Sequence, residues 1–394
     1  MFLKKVSIAV ALIFTVGLVY YAARHPMDFR VYYYGAQGVF EGTRPVYGPS
    51  SGLGWPMHYR YPPLFLLVFA PFAMLPLAWG AALWVVLKVM TLGMLLRAMW
   101  ERGLKPLTTL DPRLIVVPIL FITPYLVEEF RYGNAQFFVF ALCAAALLIL
   151  RKWPVLSAGS LALGISIKVW PLFFVPYLAV RGNWKVVGYT LAFVVLLAML
   201  PGFYFGFGTN FNLLAQWFSQ EMHTQLGESE IWFPNQSLRG MLMRYLTVID
   251  YSQVPDSNYP QINISALDPS VVRIVWLGIA MAAYIAFLLL AARRRNTSGW
   301  LDDGLAFCLI AILEPFTQKY ALAILLWPAI VAGALVSQPR FRPLLYGAAV
   351  LVLIQPLTPG ANAQRLLQVV GLDFAAAILL SAALAAACLK SAEP

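Results

Sequence analysis

Charged residues are scarce in this chain. They make up 11% of its 394 residues, whereas hydrophobic residues make up 61%. A soluble domain carries about 25% charged residues, so this composition is far from that of a soluble protein. The longest polar stretch, residues 206–269, is interrupted too often by apolar residues to form a large independent domain. The sequence therefore predicts an all-α polytopic membrane protein.

Cysteine is also scarce, with three residues in the whole chain. Cys143, Cys308 and Cys388 all lie inside apolar runs, where a cysteine acts as a small buried hydrophobic residue. This excludes a disulfide framework and a cysteine-based zinc site. The chain also lacks an H-E-x-x-H pair and a P-loop, which excludes the enzyme classes that these motifs identify.

Acidic residues are outnumbered by basic ones, 17 to 28, which gives a net charge of +11. The basic residues cluster at the ends of apolar runs, as the positive-inside rule predicts for cytoplasmic loops. No long polar segment alternates basic and aromatic residues, so the excess of positive charge does not indicate a nucleic-acid partner.

Apolar runs dominate the rest of the sequence. A helix needs about 20 apolar residues to cross a bilayer, and we expect about twelve crossings. The candidate spans are residues 6–21, 78–100, 114–127, 135–150, 155–167, 172–180, 186–207, 271–292, 301–315, 320–336, 344–357 and 366–389. Together they predict one transmembrane domain over residues 1–394, located in the cell inner (plasma) membrane.

Two irregular segments complete this topology. The run 63–75 is short and flanked by prolines, so we expect a re-entrant or interfacial helix that does not cross. Residues 168–171 are expected to break the following apolar stretch into two short helices. Both termini then lie in the cytoplasm. The long loops 24–62 and 207–270 lie on the outer face, the second with juxtamembrane helices.

The first outer loop contains a lone carboxylate, Asp28, among aromatic residues. An ionisable group held near lipid is costly and often functional, although an ordinary interfacial turn would also explain it. His25 and His58 in the same loop suggest a metal site as an alternative. Their spacing is unspecific, and we predict no metal.

Two adjacent carboxylates, Glu128 and Glu129, lie at the end of an apolar run that is predicted to reach the outer face of the membrane. Because neighbouring side chains on a helix point to different faces, they either line a site or mark a solvated helix end.

Lysines within apolar runs are a further signal. Lys168 would cost a few kcal/mol at membrane depth unless it is paired or hydrated. A phosphate would compensate its charge, whereas snorkelling to the interface is the alternative. Lys88, near mid-span, is interpreted as a structural pair or a snorkelling side chain. Farther along, Asn235-Gln236-Ser237 follows three residues that include two aromatics, a composition typical of sugar binding or of a helix cap.

Four stretches together resemble glycosyltransferase family 87, which includes phosphatidylinositol-mannoside α-1,2-mannosyltransferases and belongs to the GT-C superfamily of polyprenyl-phosphate-sugar-dependent enzymes. The stretches are residues 28–47, in which an Asp is followed by Gly42-Thr43-Arg44-Pro45-Val46-Tyr47; residues 61–76; residues 133–136 with 167–176; and residues 235–238. The chain departs from the family pattern at residues 314–320, where Lys319 stands in place of the usual histidines.

The resemblance implies a GT-C helix bundle. It also implies an inverting transfer of a sugar, with mannose expected, to an acceptor hydroxyl at the outer membrane face. Asp28 would be the general base, and the donor phosphate would face Lys168, Lys319 and Arg239. The sugar and acceptor side would be lined by His58, Tyr61, Glu128, Glu129, Asn134, Gln136, Asn235 and Gln236. The implied partners are membrane lipids, a polyprenyl-phosphate sugar and a glycolipid, glycan or protein acceptor; no cofactor is implied.

Two alternatives remain open at the level of the sequence. A transporter or flippase of a lipid-linked sugar or another anionic substrate would use Lys88 and Lys168 as pathway charges and would need no base. A different lipid-linked transferase, acting on lipid A or on protein, would share most of the same features.

Overall fold

The computed structural model describes residues 2–42, 44–48, 57, 59–104, 113–225, 232–251 and 259–390. Within these ranges every regular element is a helix, which confirms the all-α prediction. The α-helices are α1 (Phe2–Arg24), α2 (Met27–Phe40), α3 (Pro63–Ala73), α4 (Leu77–Met99), α5 (Arg113–Tyr132), α6 (Gln136–Ile149), α7 (Pro154–Ile167), α8 (Phe174–Val180), α9 (Trp184–Met199), α10 (Gly202–Phe205), α11 (Phe207–Gln225), α12 (Leu238–Leu246), α13 (Pro269–Arg293), α14 (Trp300–Leu313), α15 (Leu326–Leu335), α16 (Arg342–Leu357), α17 (Ala361–Val370) and α18 (Leu372–Lys390).

Four described segments are long and apolar enough to cross a membrane: Leu77–Arg102, Trp184–Phe205, Pro269–Arg293 and Leu372–Lys390. The shorter apolar helices are Leu12–Arg24, Pro63–Ala73, Gln136–Ile149, Pro154–Ile167, Trp170–Val180 and Lys319–Leu335. The length and the apolar composition of these helices are those of a membrane protein.

Two compact units emerge from the packing. The first comprises Met1–Arg102, Val127–Pro171 and Gly188–Met222. Within it, α1 packs along α4, α2 packs on α3, and α6 contacts both α4 and α7. The second comprises Gly103–Leu126, Leu172–Val187 and His223–Pro394. Within it, α18 contacts both α14 and α16, and α12 packs on α13.

Proline sets the start of two helices in the first unit. Pro62 and Pro63 begin α3, and Pro76 begins α4, because a proline at the first turn gives up no helical hydrogen bond. The 11 residues of α3 extend about 17 Å at 1.5 Å per residue, which is less than the hydrocarbon thickness of a bilayer. This length fits the prediction that the segment does not cross.

The break predicted at residues 168–171 is present. Helix α7 ends at Ile167, Lys168 has extended backbone angles (φ −140°, ψ 141°), and a 3₁₀ turn covers Trp170–Phe173 before α8. Pro171 and Pro176 disfavour one continuous helix, since proline lacks the amide donor and restricts the residue before it. The break brings the Lys168 side chain to the end of α7.

The predicted span 366–389 is confirmed from Leu372 onward, but its first residues belong to a separate helix, because the structure divides this stretch into α17 and α18. Gly371 joins them with φ +90°, a left-handed conformation that favours glycine. A Cβ atom at Gly371 would clash with Met241 Sδ. Close packing and backbone conformation therefore both select glycine at this turn.

Candidate active site

Asp28 lies in the first turn of α2, directly after Pro26 and Met27. The positive end of the helix dipole favours a negative charge at this position. The residue is only 9% exposed. Asn134 Nδ2 donates a hydrogen bond of 2.7 Å to its Oδ2 atom. Within the described residues, the other carboxylate oxygen, Oδ1, has no hydrogen-bond partner.

Asn134 belongs to a tight turn between α5 and α6. Gly133 adopts φ +71°, and a Cβ atom there would lie 3.1 Å from Phe29 Cβ, so the turn packs directly against α2. Asn134 Oδ1 accepts hydrogen bonds from Gln136 N at 2.9 Å and from Lys168 Nζ at 3.1 Å. These donors fix which way the amide faces: its oxygen meets the cation and its nitrogen meets the carboxylate.

Lys168 completes the cluster. Its Nζ atom also donates to Gln136 Oε1 at 2.9 Å and lies 5.5 Å from the centre of the Tyr61 ring. Trp170 Nε1 donates to the same Gln136 oxygen at 3.2 Å. Gln136 Nε2 is buried and has no hydrogen-bond partner among the described residues, so one polar donor of the cluster is unused. Such a donor is available to a water molecule or to a substrate oxygen.

Two tyrosine hydroxyls connect this cluster to the aromatic packing around α2. Ala135 N donates to Tyr32 Oη at 3.1 Å, Tyr32 Oη and Tyr61 Oη lie 2.8 Å apart, and Tyr61 Oη donates to Asn134 Oδ1 at 3.4 Å. Both tyrosines pack edge to face with other rings, Tyr32 against Phe65 at 5.2 Å and against Tyr61 at 4.9 Å. Close ring packing of this kind holds the polar groups in one arrangement.

Helix α11, in the predicted outer loop 207–270, holds the segment that carries Tyr61. Arg60 forms a bidentate ion pair with Glu221, with both nitrogen–oxygen distances 2.9 Å. Trp217 Nε1 donates to the Arg60 carbonyl at 3.1 Å, and Gln220 Nε2 donates to the Tyr59 carbonyl at 2.8 Å. Three side chains of one helix thus hold residues 59 and 60, directly before Tyr61.

The electrostatic balance at Asp28 sets its proton affinity. Burial raises the pKa of Asp28 above its usual value of 3.8, while the Asn134 hydrogen bond and the charges of Lys168 and Lys88 oppose the rise. A carboxylate with a raised pKa accepts a proton more readily than a solvated one. The site therefore combines a buried carboxylate, one carboxylate oxygen without a partner among the described residues and a nearby cation, an arrangement suited to taking a proton from a hydroxyl.

An apolar groove of about 200 Å³ lies beside Lys168 in the same unit. Its walls come from the start of α3, the end of α7 and helices α9 and α11. The lining residues are Pro62, Pro63, Leu64, Ile165, Ser166, Val169, Val194, Ala198, Leu214 and Trp217. Lys168 thus lies in the chain between Ser166 and Val169, which both line this groove.

Glu128 and Glu129 separate as expected for neighbours on a helix. Glu128 is partly exposed and pairs with Arg131 at 3.1 Å, whereas Glu129 is fully buried and pairs with Lys88 at 2.9 Å. Lys88 is therefore part of a structural ion pair. The sequence-predicted contact of Glu129 with sugar or acceptor would require this ion pair to open.

The second compact unit holds the other predicted amide motif. Asn235 is fully buried. Its Oδ1 atom accepts from Ser237 N at 3.0 Å and Thr317 N at 3.1 Å, and its Nδ2 atom donates to the Pro315 carbonyl at 3.0 Å. The adjacent Ser237 caps α12 by accepting from Gly240 N. The helix-cap interpretation of this motif is confirmed for Ser237.

Gln236 and Arg244 connect this motif to the end of α17. Gln236 Nε2 donates to the Gln368 carbonyl at 2.9 Å, and Arg244 Nε donates to the Val369 carbonyl at 3.0 Å. Arg244 also donates to the Asn235 carbonyl at 2.8 Å. These bonds satisfy carbonyls at a helix C-terminus that have no partner within the helix.

The remaining predicted residues lie in separate settings. Arg239 is 2% exposed and lies 5.3 Å from the centre of the Trp276 ring. Lys319 Nζ donates to Gln355 Oε1 at 2.8 Å. His58 lies outside the described residues. Of the predicted site, the structure brings together Asp28, Tyr61, Asn134, Gln136 and Lys168.

A family model described as glycosyltransferase family 87 matches residues 59–301, more than half of the chain. The chain belongs to glycosyltransferase family 87. Family membership makes it an enzyme that transfers a sugar, which decides against the transporter alternative. No curated protein and no solved structure matches the sequence.

The family 87 match covers the amide turn at residues 133–136, the helix break at 168–171 and the amide motif at 235–238, but it begins after Asp28. The role of Asp28 therefore depends on the geometry described above. Sequence reasoning missed the contributions of Tyr32 and Trp217 in this family member. The Tyr-Tyr-Tyr run at residues 32–34 and the amphipathic pattern of α11 were the available signals.

Proposed function

We propose that the chain is an inverting glycosyltransferase of the GT-C type that uses a polyprenyl-phosphate sugar as donor. The sugar, with mannose expected, would move to a hydroxyl of a glycolipid, glycan or protein acceptor. The reaction would take place at the outer face of the inner membrane. In this proposal the chain crosses the membrane about twelve times with both termini in the cytoplasm.

One observation carries the proposal: a carboxylate and a lysine share one amide. Asp28 accepts from the nitrogen of Asn134 and Lys168 donates to its oxygen. The two ionic groups are thus two hydrogen bonds apart, yet they are not paired to each other. A direct ion pair would stabilise the charged carboxylate and weaken it as a base.

The chemistry then assigns one task to each group. Asp28 takes the proton from the acceptor hydroxyl as its oxygen attacks the anomeric carbon. The bond from that carbon to the phosphate oxygen breaks on the opposite face, so the configuration inverts. Lys168 stabilises the charge that develops on the departing polyprenyl phosphate. The unused Gln136 Nε2 donor would face a substrate oxygen.

The apolar groove beside Lys168 supports the choice of a lipid-linked donor. A phosphate held at Lys168 would place its first isoprene units along the wall formed by Val169, Leu214 and Trp217. Burial of hydrocarbon contributes about 25 cal/mol per Å² of apolar surface. A nucleotide sugar offers no comparable apolar group, so a lipid-borne donor fits the groove better.

The experiment is a transfer assay with the purified protein. Labelled polyprenyl-phosphate mannose and a membrane extract are incubated with the enzyme, with a nucleotide-linked mannose as the comparison donor. We expect label to enter an acceptor only from the lipid-linked donor, with an inverted anomeric configuration in the product. Transfer from the nucleotide sugar, or retention of configuration, would refute the proposed mechanism.

A further inference from the structure

Lys88 and Glu129 form an ion pair in which both side chains are 0% exposed. Such pairs contribute little to stability, because replacement by well-packed apolar residues is often neutral or stabilising. Neither residue has a described hydrogen bond to Asp28 or Asn134. A buried pair that does not touch the reacting groups therefore suggests a specific task.

The pair connects three helices around one turn. Lys88 lies on α4 and donates to Glu129 Oε1 and to the Glu129 carbonyl, both at 2.9 Å. Glu129 Oε1 also accepts from Phe137 N, in the first turn of α6, at 2.8 Å. The bonds fix the backbone at residue 129, before the turn, and at residue 137, after it.

Asn134 lies between these two fixed points. Its amide can bridge Asp28 and Lys168 only if the turn keeps its shape, because the nitrogen and oxygen of one amide point in opposite directions. Gly133, with φ +71°, gives the turn a left-handed conformation that favours glycine.

We infer that Glu129 is a positioning residue: by accepting from Phe137 N it holds the turn that aims Asn134 at Asp28, and Lys88 balances its charge. This inference rests on the proposed role of Asp28 as the base. In this role Glu129 does not contact the substrate. It acts through Phe137 and Asn134 instead.

The charges around Asp28 define what an experiment would measure. Lys168 and Lys88 both favour the ionised form of Asp28, and the hydroxyls of Tyr61 and Tyr132 also interact electrostatically with it. If the turn loses its shape, Asn134 no longer donates its hydrogen bond to the Asp28 carboxylate. The protonated form of Asp28 would then persist to higher pH.

The test uses two variants of equal charge in the full-length protein. Lys88→Met/Glu129→Gln keeps an oxygen that can accept from Phe137 N, and Lys88→Met/Glu129→Met removes it. A hydrophobic carbodiimide modifies protonated carboxyl groups, so mass spectrometry of the Asp28 peptide across pH gives the midpoint of its protonation. Arg97→Gln/Glu101→Gln removes an exposed ion pair and is the matched control.

We expect the Met/Met midpoint to rise by about one pH unit. The Met/Gln midpoint should stay within about half a unit of wild type, and the control should not move. Equal midpoints in the two variants, or an unchanged midpoint in a folded Met/Met protein, would overturn the inference. If Met/Met does not fold, Met/Gln alone decides, because a rise of about one unit in that variant contradicts the positioning role.

The labelling needs no substrate, so it separates this inference from the proposed reaction. If wild-type protein transfers no sugar but the midpoints move as expected, the positioning role stands and the proposed function fails. If transfer occurs and the midpoints do not move, the reverse holds.

Discussion

Two amide motifs with nearly the same composition differ in what they bind. Asn134-Ala135-Gln136 connects ionisable side chains: its amides bond to Asp28 and Lys168. In Asn235-Gln236-Ser237, the described bonds of Asn235 and Gln236 go to main-chain groups, among them the carbonyls of Pro315 and Gln368. The first motif lies in the first compact unit and the second motif lies in the second.

The comparison teaches how to separate a reactive polar cluster from a structural one. In the first motif the amide keeps a carboxylate and a cation apart, and one carboxylate oxygen and one amide nitrogen have no partner within the described part of the chain. In the second motif the Asn235 groups satisfy backbone atoms that would otherwise be buried without partners. Loss of the first arrangement should affect the chemistry, and loss of the second should affect folding.

The sharpest test of the comparison is Asp28→Asn. The amide side chain keeps the volume and can still bond to Asn134, but it cannot take a proton. We expect turnover to fall about 10²- to 10⁴-fold, the range for a positioned base. Initial rates of label transfer from the lipid-linked donor provide the measurement.

The matched control for that test is Asp268→Asn, because Asp268 is an exposed cap at the start of α13. It should transfer sugar at the wild-type rate. Near-normal transfer by Asp28→Asn would remove the carboxylate from the mechanism and with it the proposed distinction between the two motifs.

The second test is Lys168→Met, compared with Lys168→Arg. Methionine keeps the length of the side chain but removes the charge that would stabilise the leaving phosphate. We expect a fall in kcat of about 10²- to 10³-fold, as for loss of one electrostatic donor. Arginine should recover part of the rate, and equal rates for Met and Arg would mean that the charge has no role.

Much of the architecture was predictable because it follows from composition and from proline. The apolar runs predicted the helices, and Pro171 predicted the break that ends α7 at Ile167. The division at Gly371 was missed because a glycine between apolar residues is compatible with a continuous helix. The residue adopts φ +90° and packs against Met241, which is more than a hundred residues away in the chain.

The candidate site was predictable in its residue types but not in its connections. Asp28, Asn134 and Lys168 stood out as polar groups near apolar runs. Asn134 bonds to both of the others because of the turn at Gly133 and the Lys88–Glu129 pair. Neither feature produces a periodic pattern in the sequence. For Asn235 the same reasoning left sugar binding and a helix cap open, because composition does not reveal whether an amide meets side chains or backbone.

A third prediction compares the two asparagines directly. Asn134→Ala should lower turnover per folded molecule about 10²-fold, since misplacing a reacting group by about 1 Å has an effect of that size. Asn235→Ala should instead destabilise the fold by about 1–3 kcal/mol for each buried partner left unsatisfied. Thermal unfolding in detergent and transfer rates per folded molecule separate the two effects. The comparison fails if Asn235→Ala loses turnover while keeping its unfolding midpoint.

The smallest expected effect is a shift in the pH dependence of transfer. A base works only when it is ionised, so kcat/KM should fall about tenfold per pH unit below the pKa of Asp28. Burial raises that pKa, which places the fall at a higher pH than a solvated aspartate would give. Lys168 favours the ionised form, so Lys168→Gln should move the fall to higher pH still, whereas Lys168→Arg should leave it in place. A pH profile of the residual activity that is the same in Gln and Arg variants would show that Asp28 does not respond to the cation across the shared amide. The first motif would then be a structural clamp like the second.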